Sequence, residues 1–148
     1  MSGRRRGRFQ DTVNSWSPLK KSLFLIVIAI LVYGTVIALD ETVITKFTGE
    51  EYMHTDIKVY RDRTSTILEG GLLYTDVHTE TPPLISYFLI PAQLLGGGDH
   101  IWVYSACFSF FGILSGLLIY HVLRRYDDRS AFAMGLLFIL SPFGFVEA

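Results

Sequence analysis

The residues able to do chemistry are concentrated between positions 40 and 100. Three carboxylates, Asp56, Asp76 and Glu80, are interspersed there with three cations, Lys58, Arg61 and Arg63, and with the phenols of Tyr60 and Tyr74. A carboxylate held against a hydroxyl can take its proton, and a nearby cation can stabilise an anion that forms in the same step. Metal chemistry is less well served. No Asp-x-Asp pair surrounds Asp56, and the spacing of His54, His78 and His100 matches no compact metal motif, so solvated histidines account for it. Each acid also has a plain structural role open to it. Asp56 in the first turn of a helix is favoured by the helix dipole alone, and Asp76 and Glu80 fit solvated turns.

Those residues need elements to hold them. Over 56–69 the apolar residues Ile57, Tyr60, Ile67 and Leu68 recur near helical spacing, with Thr64 bridging the gap and Gly70-Gly71 as the stop. The pattern predicts an amphipathic helix lying on a membrane surface, with Thr55 as its N-cap. Further on, Pro82 and Pro83 remove backbone donors and bias Thr81 toward extended geometry. They make either a simple turn or a rigid entry into a short apolar helix over 84–95, which the glycines 96–98 close.

The framework around this region is apolar. Half of the 148 residues are hydrophobic and only 18% are charged, against about 25% in an ordinary soluble domain. Positions 22–39 and 101–123 carry no Asp, Glu, Lys or Arg, and each approaches or exceeds the ~30 Å hydrocarbon core at ~1.5 Å per residue. A third apolar stretch, 130–148, follows the charged turn 124–129, and so short a connection implies an antiparallel helical hairpin. The 84–95 segment reaches only about 18 Å and is too short to cross alone. If it stays on the outer side, both basic clusters fall in the cytoplasm: Arg4, Arg5, Arg6, Arg8, Lys20 and Lys21 before the first span, and Arg124, Arg125 and Arg129 after the second.

The predicted fold is therefore an all-α integral membrane protein of the cell membrane, multi-pass with a cytoplasmic N-terminus. Its parts are a basic arm over 1–21, transmembrane helices over 22–39, 101–123 and 130–148, a cytoplasmic turn over 124–129, and a large outer loop over 40–100 with short interfacial helices. Directly before a hydrophobic span, the basic arm reads as a membrane anchor, not as a nucleic-acid contact. A cleaved signal peptide ending near Val36-Ile37-Ala38 is the rival for the first span, but the apolar run exceeds a typical signal core. The lone Cys107, inside an apolar run, excludes an intramolecular disulfide and reads as buried filler. Glu147, at the outer end of the third stretch, either reaches water or edges a cavity.

The order of parts resembles the first outer loop of the GT-C glycosyltransferases, especially their polyprenyl-phosphate-sugar-dependent, mannosyltransferase-like branch. The resemblance runs through a first span, Asp56 ahead of Val59-Tyr60, Gly70-Gly71, Tyr74 and Asp76, then Glu80 and Pro82-Pro83-Leu84 ahead of Tyr87 and Pro91. It implies transfer of a sugar from a lipid-phosphate donor to a hydroxyl of a glycan, lipid or protein at the outer membrane face. It also implies that Asp56 is the catalytic base, with Asp76 or Glu80 assisting as acid/base or metal ligands. Lys58, Arg61 and Arg63, or a divalent cation, would stabilise the departing phosphate. Tyr60, Tyr74, Pro82 and Pro83 would line the substrate. Two features depart from the family pattern: Thr81 stands where a Glu-Tyr-Pro-Pro entry has its tyrosine, and the sequence stops at Ala148, where family members carry many more spans. The expectation is an N-terminal portion that is inactive alone. A non-enzymatic assembly or accessory subunit, whose outer loop binds a partner, is the alternative. A secreted domain tethered by one helix is opposed by the two later apolar stretches.

Overall fold

The computed structural model describes residues 15–39, 42–43, 55–77, 82–98, 100 and 102–141. The described residues are mostly helical and contain no strand, only an isolated bridge between Leu73 and Val77. Helix α1 is Pro18–Leu39, α2 Thr55–Leu68, α3 Pro83–Phe88 and α4 Ile90–Ala92, which continues into a π-helical turn at Gln93–Gly97. Helix α5 is Trp102–Leu123 and α6 is Asp128–Ile139.

Among the described residues, α1 and α5 are the two helices long and apolar enough to cross a membrane, at 22 residues each. Helix α1 starts four residues ahead of the uncharged run because Ser17-Pro18 is a helix start in its own right. Proline at the first helical position loses no bond, and the Lys20 N–H lies 3.4 Å from Ser17 Oγ. Lys20 and Lys21 thus belong to the first turns of α1. The apolar segment expected over 84–95 is helical but interrupted, with Leu89 closing α3 and Gly96 (φ 105°) leaving helical geometry. Pro83 opens α3 from an extended Pro82. The third apolar stretch forms α6, 12 residues long, or about 18 Å. Residues 142–148, Glu147 included, lie outside the described residues, as do 1–14 and His54.

Two compact units divide the chain. One draws on Met1–Val32 and Phe110–Glu147, the other on Tyr33–Ser109. In the first, the extended Asp127 caps α6, its carboxylate accepting from the N–H groups of Arg129 and Ser130. Hydrogen bonds from the Ser130 side chain and then its backbone hold the Asp127 carboxyl below the usual carboxylate range. The three helices of this unit meet at Gly135. A Cβ there would stand 3.2 Å from the Gly116 carbonyl oxygen and 3.3 Å from both Leu25 and Tyr120, so even a methyl group would require its neighbours to give by a few tenths of an ångström. Leu25, Ala29, Tyr120, Ala131 and Ile139 are fully buried around this contact. The Tyr120 and Phe132 rings pack edge to face, 6.4 Å between centroids.

The same unit buries a charge. Lys21 is 1% exposed and forms an ion pair with Asp128, whose side chain is 45% exposed. The other Asp128 oxygen accepts from the Tyr120 hydroxyl at 3.1 Å. Beside them Ser22 Oγ and His121 Nε2 are hydrogen-bonded at 3.2 Å. The two ends of the ion pair are not equivalent, because water can reach the carboxylate but not the ammonium. Asp128→Asn should therefore destabilise the unit by about 3 kcal/mol, the low end for a broken buried pair. Lys21→Met should cost only about 1 kcal/mol, since it strands a hydrated acid. Thermal unfolding in detergent of both variants and of the double variant checks this. Equal losses, or a double variant less stable than Asp128→Asn alone, would contradict it.

Candidate functional site

The second unit holds most of the residues that the sequence singles out. Its core is Ile57, Leu89, Ala92, Val103 and Tyr104, with Tyr60, Ile85, Cys107 and Phe108 packed against it. Helix α2 therefore turns the face bearing Ile57 and Tyr60 toward α3, α4 and the first half of α5. The cysteine is half-buried in this cluster, as an apolar filler would be.

Across that core runs a closed line of polar contacts. Thr64 and Tyr104 are both fully buried, and their hydroxyl oxygens are 2.5 Å apart. Tyr104 donates to Gln93 Oε1 at 2.6 Å. With the tyrosine proton committed to Gln93, the Thr64 hydroxyl supplies the hydrogen between the two oxygens. Thr64 Oγ1 also lies 3.0 and 2.9 Å from the carbonyl oxygens of Tyr60 and Arg61. Three elements, α2, the π-helical turn and α5, are thereby joined through one phenol. The widened turn at Gln93–Gly97 brings the amide into this line; such π segments inside helices often mark functional places.

The candidate residues fall around this junction in different ways. The backbone of Asp56 lies in the first turn of α2, two turns ahead of Thr64. Tyr60 packs its ring against Phe108, 5.7 Å between centroids. The Arg63 guanidinium lies 5.8 Å from the same half-buried Tyr60 ring, and Arg63 is itself buried. Arg61 is partly exposed, with Asp62 3.7 Å away, and Lys58 is half-buried. The α2 stop is enforced locally. Gly70 has φ +85°, and a Cβ on Gly71 would come within 2.6 Å of Thr66 Cγ2.

Beyond that stop, Asp76 accepts from the Leu72 N–H at 2.7 Å and closes a tight turn. Tyr74 sits at the crest of the turn in left-handed geometry (φ 70°) with its side chain exposed. A non-glycine residue held there costs of order 1 kcal/mol, so the surrounding bonds fix it. Pro82 and Pro83 are exposed at the start of α3. Glu80, Thr81 and His78 lie outside the described residues. The structure thus gathers Tyr60 and Arg63 with Thr64 on one packed face of α2, and gives Asp76 a turn of its own. Among the described residues no group of three His, Cys, Asp or Glu is placed to hold a metal ion.

Tyr104 and Gln93 are the two members of the junction that sequence patterning passes over. Their signal was present but faint: a phenol and two serines, Ser105 and Ser109, inside an apolar run, and a lone amide in the short apolar segment. Comparison of the chain with protein-family models, with curated proteins and with solved structures finds no match.

Chemically, the arrangement provides a helix pinned at Thr64 by a buried hydrogen-bonded phenol, with a carboxylate-bearing residue in its opening turn. Tyr104→Phe removes both bonds and leaves Thr64 and Gln93 facing an apolar ring, a loss of about 1–3 kcal/mol. Amide hydrogen exchange should quicken over 57–68 and stay unchanged over 128–139. Unaltered protection of α2 in this variant would contradict the role of the phenol as its anchor.

Proposed function

We propose that the chain is the N-terminal part of a multi-pass membrane glycosyltransferase, which moves a sugar from a lipid-phosphate donor to a hydroxyl acceptor at the outer membrane face. Support for the membrane part comes from exposure. Only 17% of the apolar window in each of α1 and α5 is buried, whereas the core helix of a water-soluble domain is mostly covered. Leu23, Val27, Ile30 and Leu31 on α1 and Phe110, Leu114, Leu118 and Val122 on α5 are left outward. So continuous an apolar surface fits hydrocarbon better than water. In this arrangement α6 begins a third span, the N-terminus is cytoplasmic, and the two basic clusters share that side.

Support for the transfer chemistry is the likeness of the loop to that of the GT-C enzymes. The observation that carries it is the placement of Asp56 in the opening turn of α2, a helix that Thr64 and Tyr104 tie to the second long apolar helix. A base for this reaction must be held where a lipid-borne donor and an acceptor meet, and a helix anchored at the membrane edge does that. The acceptor O–H gives its proton to the Asp56 carboxylate as its oxygen bonds to the anomeric carbon. The bond from that carbon to the phosphate oxygen breaks, and its electron pair leaves with the phosphate. Lys58 and Arg61, or a divalent cation, stabilise the charge that departs. Arg63 serves less directly, through its stacking on Tyr60. Exposed Tyr74, Pro82 and Pro83 line the approach, and Asp76 and Glu80 assist.

Asp56→Asn keeps size and removes basicity. In membranes bearing the complete protein and supplied with polyprenyl-phosphate mannose, transfer should fall at least ~100-fold, with abundance unchanged. Asp76→Asn and Glu80→Gln in the same assay locate the base. Near-normal turnover of Asp56→Asn beside an inactive Glu80→Gln enzyme would move the base to Glu80.

A further inference from the structure

In the unit drawn from Met1–Val32 and Phe110–Glu147, the turn between α5 and α6 carries Arg124 and Arg125, and the first turn of α6 carries Arg129, all exposed. The ion pair between Lys21 and Asp128 brings the first turns of α1 to the same place, and Lys20 is exposed there too. Two acids stand among these cations, and the fold engages both. Asp128 is bonded to Lys21 and Tyr120, so its charge is cancelled within the unit. Asp127 accepts the N–H groups at the start of α6. Four exposed basic side chains, Lys20, Arg124, Arg125 and Arg129, are therefore offset by one further carboxylate, that of Asp127, and leave the surface net positive.

Amid the cations, Tyr126 is 87% exposed, the most exposed large hydrophobic side chain among the described residues. In water that exposure gains nothing. An aromatic ring with a polar tip, flanked by guanidinium groups at the end of an apolar helix, instead fits the headgroup layer of a bilayer. In such a layer the ring would lie among glycerol and carbonyl groups while the arginine forks could take phosphate oxygens in pairs.

We propose that the turn 124–129, together with Lys20, is a docking surface for the headgroups of anionic phospholipids. The proposal rests on the membrane part of the function given above and not on its transfer chemistry. Charge complementarity selects the occupant: a zwitterionic headgroup offers the same phosphate but adds a cation that these arginines repel. The basic surface then marks one end of the helices and holds it in an anionic leaflet.

The test uses the full chain. Carbonate extraction of membranes comes first: release into the soluble fraction would overturn the membrane assignment itself, and the lipid site with it. The retained chain is then purified in detergent, offered equal amounts of phosphatidylglycerol and phosphatidylcholine, and examined by native mass spectrometry. The expected result is preferential retention of phosphatidylglycerol, weakened about tenfold or more in Arg125→Gln/Arg129→Gln. Tyr126→Ala, which leaves every charge in place, should lower retention as well. Replacing Arg4, Arg5, Arg6 and Arg8 with Gln should leave the preference intact, and inorganic phosphate should not displace the lipid. Equal retention of the two lipids, full preference in both turn variants, loss of preference in the arm variant, or displacement by free phosphate would each overturn the lipid site while leaving the membrane assignment standing.

Discussion

A chain this apolar has little room for a polar side chain without a partner, and although the buried Ser86 hydroxyl goes unpaired, that constraint shapes how each unit is assembled. A buried hydroxyl or amide left alone costs about 1–3 kcal/mol, and a buried ammonium considerably more. The Tyr104 hydroxyl answers by closing on Thr64 and Gln93, which fixes where α2 and the π-helical turn lie against α5. Lys21 answers by closing on Asp128, which fixes the start of α1 beside the start of α6. Hydrophobic contact supplies most of the attraction in both units but is tolerant of sliding and rotation. The directional bonds choose one arrangement among the many that would bury similar area.

The placement of the candidate site follows from the first of these closures. Helix α2 is amphipathic and short, and alone in water it would be marginal. Packed through Ile57 and Tyr60 and pinned at Thr64, it becomes a fixed support whose opening turn contains Asp56. The segment after it is fixed by other means. Gly70 and Gly71 end the helix, and Asp76 closes the turn that lifts Tyr74 into left-handed geometry.

Much of the fold was legible from local pattern alone. The uncharged runs marked α1 and α5, and the spacing of Ile57, Tyr60, Ile67 and Leu68 marked α2 with its glycine stop. What local pattern cannot carry is a partnership between distant residues. Lys21 stands in a basic cluster that looks uniformly solvated, and only its pairing with Asp128, across more than a hundred positions, makes it a core residue. Thr64 appeared as a gap in an apolar stripe, yet it meets a tyrosine forty positions away. The break in the 84–95 segment is local instead: it falls at Leu89, just ahead of Pro91 in the first turn of α4, while Gly96 stands at the expected glycine stop. For Asp76, composition left a turn acid and a reacting acid equally open, and the bond from the Leu72 N–H gives the turn its physical basis.

The proposed function rests on one arrangement, in which α1 and α5 would span a bilayer with the loop 40–100 outside and the turn 124–129 inside. The most direct measurement places single cysteines in a Cys107→Ser background, one as Glu50→Cys in the loop and one as Tyr126→Cys in the turn, and treats intact cells with a membrane-impermeant maleimide. Labelling is expected at position 50 in intact cells and at position 126 only after permeabilisation. Labelling of position 126 in intact cells, or of position 50 only after permeabilisation, would contradict it.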